Sequence, residues 1–506
     1  MTHRALISVA DKSGALEFGK SLVELGWEIL SSSGTAKMFR DAGVPVIEVS
    51  DVTDFPHILG GRVKTLHPLV FGGILARRDV NSDVKDMKDR GITPIDLVAV
   101  NLYPFEQTAR SGADLDALIE NIDIGGVALI RAAAKNYRFV TVLTEPADYA
   151  QVLEELRAEG AISAENRRRL ALKAFDATAH YDAAIGAGLR REMGEAEEDT
   201  QFTAAFSRRQ TLRYGENPHQ KAGLFLPPLS DVPVKQLAGK ELSYNNILDL
   251  DTAMRATAMM QDSIGAVVIK HTTPCGMALG ATVAEAYDRA FACDSLSAFG
   301  GVVGVTRHID LATAESISKH FTEVLLCPSI DDDALQLLTS KRKNLRIMTW
   351  QGGRVFQKQM VSTWCGLLMQ DDCLAPLPRE KDGHWVGTPR PDLWNDLILA
   401  WKVAAVSKSN AVALVKDGEA VGIGMGFCSR VFAVEFAAHQ AGHKAKGAVM
   451  ASDAFFPFPD GVEKAAAAGV VAIIQPGGSV RDDEVAKRAQ ELGVSMFISG
   501  HRTFRH

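Results

Sequence analysis

The sequence predicts an α/β protein of 506 residues that is divided into two regions. Short apolar runs alternate with helical patterns through the first two hundred residues, and similar runs recur further along. An acidic stretch at 194–201, almost free of apolar side chains, separates the two regions. Such alternation predicts a largely parallel sheet with helices on both faces and ligands at the carboxyl ends of its strands.

The first region has the clearer alternation. Its apolar runs predict strands at 5–9, 27–30, 44–49, 97–101 and 139–143. Its helical patterns lie between and after these runs, at 13–25, 35–42, 114–120 and 146–158. We therefore predict a first domain over residues 1–195.

The second region is also predicted to be α/β. Its main apolar runs lie at 266–269, 302–305, 412–415, 448–450, 470–474 and 494–498, with helical patterns between them. At about 300 residues it is long for one domain. We predict a second domain over 200–506 with two subdomains that divide near 370–395.

Composition excludes several classes of protein. The chain has 55 Lys and Arg against 62 Asp and Glu, a net charge of −7 that argues against a general binder of nucleic acid or membrane surfaces. Its six cysteines form no Cys-x-x-Cys pair, so a thiolate zinc site is not expected. Because no signal-peptide pattern or membrane-spanning run is evident, we expect a cytoplasmic protein without a catalytic metal.

Four polar segments of the first region carry chemistry. LSSSGTAK, at 30–37, leads from a strand into a helix and is suited to phosphate, although serine-rich helix starts are common without a ligand. GGRVKTLHP, at 60–68, offers two cations and an imidazole, or is an ordinary solvated basic loop. NLYPF, at 101–105, follows a strand, and NIDIGG, at 121–126, offers a carboxylate and a diglycine.

The second region carries a comparable series of motifs. VVIKHTTPCG, at 267–276, ends an apolar strand in a lysine–histidine pair suited to acid/base chemistry, or is purely structural. The other motifs are LRYGENPHQ at 212–220, SAFGG at 297–301, SKSNAV at 407–412, GIGMG at 422–426, SDAFFPF at 452–458 and HRTFRH at 501–506. No complete dinucleotide fingerprint, GK[ST] motif or deaminase-type zinc signature is present.

The ordered motifs SVADKSG, SSSGTAK, GGRVKTLHP, NLYPF, NIDIGG and RAAAKN resemble the IMP cyclohydrolase domain of the bifunctional purine-biosynthesis family. The resemblance implies a methylglyoxal-synthase-like domain that closes FAICAR, the formylated aminoimidazole carboxamide ribonucleotide, to IMP with loss of water. By matching motif, the catalytic candidates are Lys64, Tyr103, Asp123 and Lys135. The residues implied to shape the phosphate and base site are Ser8, Lys12, Ser32, Gly34, Thr35, Arg62 and Thr65.

The second-region motifs are similar to the AICAR transformylase domain of the same family, whose two subdomains resemble cytidine deaminases without the metal. The resemblance implies formyl transfer from 10-formyltetrahydrofolate to AICAR in a homodimer. It assigns proton transfer to His271, charge stabilisation to Lys270 and positioning to Asn410. The residues implied to bind nucleotide or folate are Arg213, Tyr214, Arg430, Phe455 and Arg502.

This sequence departs from the family pattern at four transformylase positions, Thr273, Phe427, Pro459 and Thr503, which puts ligand contacts there in greater doubt than in the cyclohydrolase. Two other functions are alternatives for a chain with these motifs. One is a nucleotide sensor that has lost catalysis, which the retained acid/base candidates argue against. The other is a cyclohydrolase whose second half is a scaffold.

Overall fold

The computed structural model describes residues 2–56, 58–195 and 202–506. Two compact units are present, one formed by Met1–Ser207 with Phe225–Ser230 and the other by Arg208–Leu224 with Asp231–His506. Most of the acidic stretch predicted as the boundary, residues 196–201, lies outside the described residues. The predicted limits 1–195 and 200–506 stay a prediction.

The first unit is built on a five-stranded parallel sheet in the order β3-β2-β1-β4-β5. Its strands are β1 Arg4–Val9, β2 Glu28–Ser31, β3 Ile47–Glu48, β4 Leu97–Asn101 and β5 Thr141–Leu143. Its helices are α1 Ala15–Glu24, α2 Ser33–Asp41, α3 Val49–Thr53, α4 Pro68–Leu75, α5 Asn81–Arg90, α6 Phe105–Arg110, α7 Leu115–Glu120, α8 Gly125–Lys135, α9 Tyr149–Glu159 and α10 Ala164–Met193.

Both faces of this sheet are buried. Side chains alternate along β1, so Ile7 packs with Phe18 on one face while Leu6 packs with Val98 and Ala133 on the other. Helices therefore cover the sheet on both sides, as the strand–helix alternation predicts.

The strand predicted at 44–49 is wrong in extent, because only Ile47–Glu48 pairs with β2. Pro45 lacks the N–H that a sheet ladder needs. The Asp51 carboxylate also accepts a bond from the Glu48 N–H at 3.3 Å and begins helix α3. The 30-residue helix α10 was not predicted.

The second unit contains a twelve-stranded mixed sheet in the order β16-β21-β20-β19-β17-β18-β10-β9-β11-β12-β13-β8. The strands after the first unit's sheet are β6 Ser207–Leu212, β7 Ala222–Leu226, β8 Lys235–Ala238, β9 Gly265–Lys270, β10 Thr273–Leu279, β11 Gly301–Val305, β12 Thr322–Cys327, β13 Arg346–Thr349, β14 Lys358–Thr363, β15 Gly366–Asp371, β16 His384–Val386, β17 Val412–Lys416, β18 Glu419–Gly424, β19 Val449–Ser452, β20 Ala472–Gln475 and β21 Ser495–Ile498. Two pairs, β6–β7 and β14–β15, form separate two-stranded sheets.

Eight helices accompany this sheet among the described residues. They are α11 Tyr244–Met259, α12 Val283–Cys293, α13 Leu311–Ser318, α14 Asp332–Lys341, α15 Trp394–Val406, α16 Arg430–Ala441, α17 Asp460–Ala468 and α18 Asp482–Glu491. None of the described helices is long and apolar enough to cross a membrane. Because both units combine sheets with helices, the predicted α/β class is confirmed for both. The division of the second unit near 370–395 stays a prediction.

Strand directions bring the second-unit motifs to one edge of the sheet. β10 and β9 are antiparallel, β18 is antiparallel to β10, and β17 is antiparallel to β18 and β19. Consequently the turn that joins β9 to β10 lies at one edge of the sheet. The ends of β18 and β19 and the beginning of β17 lie at that same edge. We call it the turn edge; it is marked by Lys270, Gly424, Ser452 and Val412, together with Ile498 at the end of β21.

Two central strands, β10 and β18, were not predicted. β10 contains Pro274 and Gly276, which are typical of loops, and its ladder shifts register between them. β18 contains part of the GIGMG motif and ends at Gly424. Backbone or side-chain atoms of α16 pack so closely on Gly422 and Gly424 that a larger residue would overlap them, which explains the glycines.

Candidate active sites

The carboxyl ends of β1, β2 and β4 open on a cavity of about 640 Å³ in the first unit. The position agrees with the rule that parallel α/β sheets bind ligands at this edge. Ten of the predicted site residues line the cavity: Ser8, Lys12, Ser32, Gly34, Thr35, Arg62, Lys64, Thr65, Tyr103 and Asp123. Segments distant in sequence thus form one pocket.

The cavity contains the start of helix α2. Ser32 has extended backbone at the N-cap, and its hydroxyl lies 3.2 Å from that of Ser8. The buried Thr35 hydroxyl donates to the Val9 carbonyl and accepts from the Val9 N–H, both at 3.1 Å, which fixes α2 against β1. Free N–H groups and hydroxyls at a helix start suit a phosphate.

Cations lie around this helix start. Lys64 donates from Nζ to the Ser33 hydroxyl at 2.6 Å. Lys12 Nζ lies close to Gly34, where an added methyl group would come within 3.4 Å of it. Arg62 forms an ion pair with Glu120, and both side chains are exposed. A net-negative chain thereby offers an anionic ligand local positive charge.

Asp123 lies in the wall of the same cavity at the start of α8. Its Oδ1 accepts from the Gly126 N–H at 2.6 Å, and its own N–H donates to the Tyr181 hydroxyl at 2.9 Å. Burial raises the pKa of the Asp123 carboxyl, while the N–H groups of Gly126 and Tyr103 oppose that shift. A half-buried carboxyl with a raised pKa is better suited than an ordinary aspartate to take up and release a proton during a reaction.

Lys135 is not among the cavity residues. It is the last residue of the eleven-residue helix α8, whose first residue, Gly125, does line the cavity. At 1.5 Å per residue the two ends lie roughly 15 Å apart. Lys135 is exposed there, and its predicted catalytic role stays a prediction.

Three further residues support this site. Ser33 contacts Lys64, and Asn101 accepts the N–H groups of Ala10 and Asp11 at 2.6 and 2.9 Å. Ser33 lies in the LSSSGTAK motif and Asn101 in the NLYPF motif, but the sequence assigns a role to neither. Tyr181 lies 58 residues beyond Asp123 in the middle of α10, so no local sequence signal could have found it.

The second unit brings its candidate residues to the turn edge. Lys270 ends β9 and donates from Nζ to the Phe299 carbonyl at 2.9 Å, which joins the KHTTPCG and SAFGG motifs. His271 is exposed in the turn between β9 and β10. The lysine and histidine therefore face the edge and not the packed interior of the sheet.

Asn410 and Arg430 belong to a buried polar network at the same edge. Arg430 donates to Asn410 Oδ1 and to the Ser452 hydroxyl, each at 2.7 Å, and forms an ion pair with the buried Asp453. Asn410 donates from Nδ2 to the Phe427 carbonyl at 2.8 Å. Because Phe427 acts here through its main chain, its departure from the family pattern leaves this contact intact.

The other candidates lie beside this network or apart from it. Phe455 follows Asp453 by two residues, and the Thr503 N–H donates to the Asp453 carbonyl at 2.9 Å, which brings Arg502 near. Arg213 instead contacts its neighbour Tyr214, with a 2.7 Å hydrogen bond and its guanidinium 4.6 Å from the ring centre.

A cavity of about 760 Å³ in the second unit lies at the opposite edge of the sheet, near the ends of β11 and β12. None of the predicted site residues lines it. In the described part of the chain, no group of three or more His, Cys, Asp or Glu side chains is arranged to hold a metal ion.

One unit has a cavity lined by cations, hydroxyls and a half-buried carboxyl, and the other has a lysine and a histidine at a hairpin beside a buried polar network. These are features of an α/β enzyme with two sites. Comparison with known proteins agrees. The family model described as AICARFT/IMPCHase bienzyme matches residues 133–440, and the MGS-like domain model matches residues 14–128. The chain belongs to the AICARFT/IMPCHase bienzyme family.

Individual relatives match along the whole chain. Bifunctional purine biosynthesis protein PurH of Bacillus subtilis is 47% identical and covers 99% of each chain, and that of Persephonella marina is 46% identical over 100% of each. The solved structure of ForH is 39% identical, covers 37% of this chain and 99% of its own, and has a TM-score of 0.34.

The predicted function and family are thereby confirmed. The chain is a bifunctional enzyme of purine biosynthesis, with a formyltransferase activity that uses a folate co-substrate and an IMP cyclohydrolase activity. A full-length match to bifunctional proteins favours this function over a catalytically inactive sensor or a cyclohydrolase with a scaffold half.

Proposed function

We propose that the first-unit cavity closes FAICAR to IMP, with the phosphate at the start of α2 and the reacting groups between Lys64, Tyr103 and Asp123. The carboxamide nitrogen attacks the formyl carbon of the same molecule, so the enzyme chiefly selects a reactive conformer and stabilises the oxygen that gains charge. Asp123 takes or positions the amide proton, and Lys64 stabilises the oxyanion. The oxygen is then protonated and leaves as water when its bond to the former formyl carbon breaks and the ring C=N bond forms. The gathering of ten predicted residues around one cavity carries this proposal.

The turn edge of the second unit is proposed to transfer a formyl group from 10-formyltetrahydrofolate to the 5-amino group of AICAR. That amine is a weak nucleophile because its lone pair is delocalised toward the carboxamide. His271 accepts the proton of the amine and Lys270 stabilises the developing oxyanion. The bond between the formyl carbon and the folate nitrogen then breaks, and tetrahydrofolate leaves with a proton on that nitrogen. Asn410, held by Arg430 at 2.7 Å, positions a reactant.

The two reactions are coupled through FAICAR. Formyl transfer to so weak an amine is barely favourable, whereas closing an aromatic ring consumes the product and draws the first step forward. We propose the cytoplasm as the place of this chemistry.

Purified enzyme given FAICAR alone is expected to form IMP without added metal, nucleoside triphosphate or folate. Given AICAR and 10-formyltetrahydrofolate, it is expected to form IMP as well. The absorbance of IMP, followed separately for each starting substrate, measures both activities. Absence of closure with FAICAR alone would refute the proposed cyclohydrolase.

A homodimer is proposed from the β14–β15 hairpin. Val361, Trp364, Leu367 and Leu368 on this isolated two-stranded sheet are all exposed. A two-stranded sheet is marginally stable alone. Val361 and Leu368 pair across the two strands, and exposed apolar side chains this close together favour a protein partner. The family resemblance favours a second copy of this chain.

The paired substitution Trp364→Ser and Leu368→Ser is expected to weaken dimerisation at least about tenfold, because it removes two large apolar contacts. Sedimentation equilibrium measures the dissociation constant, and Ser362→Ala on the same hairpin serves as the control. A monomeric unaltered enzyme, or a variant that dimerises as tightly as that enzyme, contradicts the assignment.

A further inference from the structure

The turn between β9 and β10 has an unusual sequence for its geometry. The register pairs Lys270 with Thr273, so His271 and Thr272 are its only two central residues. Their φ angles are 54° and 61°. A two-residue turn with both φ values positive favours Asn-Gly or Gly-Gly, and a β-branched residue such as Thr272 rarely adopts this backbone conformation.

A carboxylate on a neighbouring helix holds this turn. Asp249 lies within α11, which packs against β9 and β11. Its Oδ1 accepts the Thr272 N–H at 2.6 Å. Burial raises the pKa of the Asp249 carboxyl, and hydrogen bonds from the N–H groups of Thr272 and His271 oppose that shift. The carboxylate is thus hydrogen-bonded to the main chain of the strained Thr272.

Two charged neighbours, His271 and Glu323, affect the ionised form of Asp249 in opposite directions. The His271 side chain stabilises its ionised form, whereas Glu323 destabilises it. Glu323 is itself bonded to Asn246 Nδ2 at 3.0 Å. A glycine at position 272 would allow the turn to form without any carboxylate. The strained turn, held by the Asp249 carboxylate, therefore fixes the main chain of His271, whose imidazole is exposed.

We propose that Asp249 is a positioning residue for formyl transfer, which holds the His271–Thr272 turn so that His271 and Lys270 point at the reactants. This inference rests on the proposed catalytic roles of Lys270 and His271. A displacement of about 1 Å at a reacting group can cost roughly a hundredfold in rate. The carboxylate acts through the turn and does not touch substrate.

Steady-state kinetics of formyl transfer test the proposal. Asp249→Ala is expected to lower kcat by roughly tenfold to a hundredfold, with KM values for AICAR and the folate donor changed by less than about threefold. FAICAR closure is expected to stay unchanged. Asp249→Asn keeps one oxygen for the Thr272 N–H and should lose less activity. Asp251→Asn, on an exposed carboxylate of the same helix, is the matched control.

A second substitution separates positioning from general structural support. Thr272→Gly in the Asp249→Ala background lets the turn form without its support, so most of the lost kcat should return. Unimpaired kcat in Asp249→Ala, or a loss that Thr272→Gly does not restore, overturns the proposal. If His271→Ala also transfers formyl at the unaltered rate, the proposed catalytic site fails as well; if only His271→Ala is inactive, Asp249 alone is wrongly assigned.

Discussion

Replacing His271 with alanine is expected to lower formyl transfer to AICAR by roughly 10²–10⁴-fold, the contribution of a positioned acid/base group. The reason is the weakness of the 5-amino nucleophile, which must lose a proton as the formyl group arrives. Closure of FAICAR should continue at the unaltered rate, since His271 lies at the turn edge of the second unit and none of its atoms lines the first-unit cavity. Substrate-specific IMP assays separate the two rates.

Lys270→Met tests the neighbouring charge, because methionine retains most of the side-chain length but not the cation. Transfer is expected to fall to a similar extent, with closure again unaffected. His308→Ala is the matched control for His271→Ala, since His308 is a half-exposed histidine of the same unit that pairs with Asp331. Unchanged transfer in both His271→Ala and Lys270→Met would refute the assignment of this site.

Replacing Asp123 with asparagine is expected to lower FAICAR closure by roughly 10²–10⁴-fold while formyl transfer continues. Asn keeps the shape of the side chain but can neither take up nor release the proton. Because burial raises the pKa of Asp123, closure by the unaltered enzyme should fall, as pH decreases, at a higher pH than an ordinary aspartate would give. The pH–rate profile of the variant should lack that acidic limb.

Stability measurements distinguish this catalytic loss from unfolding. A carboxyl whose pKa is raised in the folded state adds stability below its unfolded pKa, and that stability is lost as pH rises through the folded pKa. Above its folded pKa the ionised Asp123 therefore opposes folding, so Asp123→Asn should there be at least as stable as the unaltered enzyme. A lower urea midpoint for this variant above that pKa, with a pH–rate profile unchanged in shape, would contradict the assignment.

Gly126→Ala provides an independent test of the same carboxylate. A methyl group at position 126 would overlap the Asp123 side chain, which must then move. Closure should fall although every titratable residue is retained. Gly186→Ala, within α10, is the matched control, because an added methyl group there meets only the Arg190 side chain, at 3.5 Å, and Gly186 does not line the cavity.

Local sequence patterns predicted which segments meet at the first-unit cavity. β1, β2 and β4 are short buried runs, and each polar motif follows its strand directly, so the parallel topology alone brings Ser8, Ser32 and Tyr103 together. The same patterns could not reveal Tyr181 or Asp249. Each of these contacts its partner from the middle of a helix 58 or 23 residues away in sequence.

Glycine and proline account for much of what was missed in the second unit. Pro274, Gly276 and Gly422 are typical of loops, yet they lie in central strands where close packing on helices or a shift in register accommodates them. With β10 recognised only in the structure, Lys270 still ends a strand, but His271 becomes, with Thr272, part of a two-residue hairpin turn. The contact between Asp249 and this turn follows only from the structure.

Complementation between two variants, each of which lacks a different one of the two activities, tests most directly whether one chain holds two separate sites. Asp123→Asn, given AICAR and 10-formyltetrahydrofolate, should release FAICAR but no IMP, and His271→Ala should form neither. Mixing the two proteins should restore IMP, because FAICAR made by one is closed by the other. A mixture that forms no IMP, although each variant retains the one activity assigned to it, or a variant that loses both activities while folded, would contradict the account.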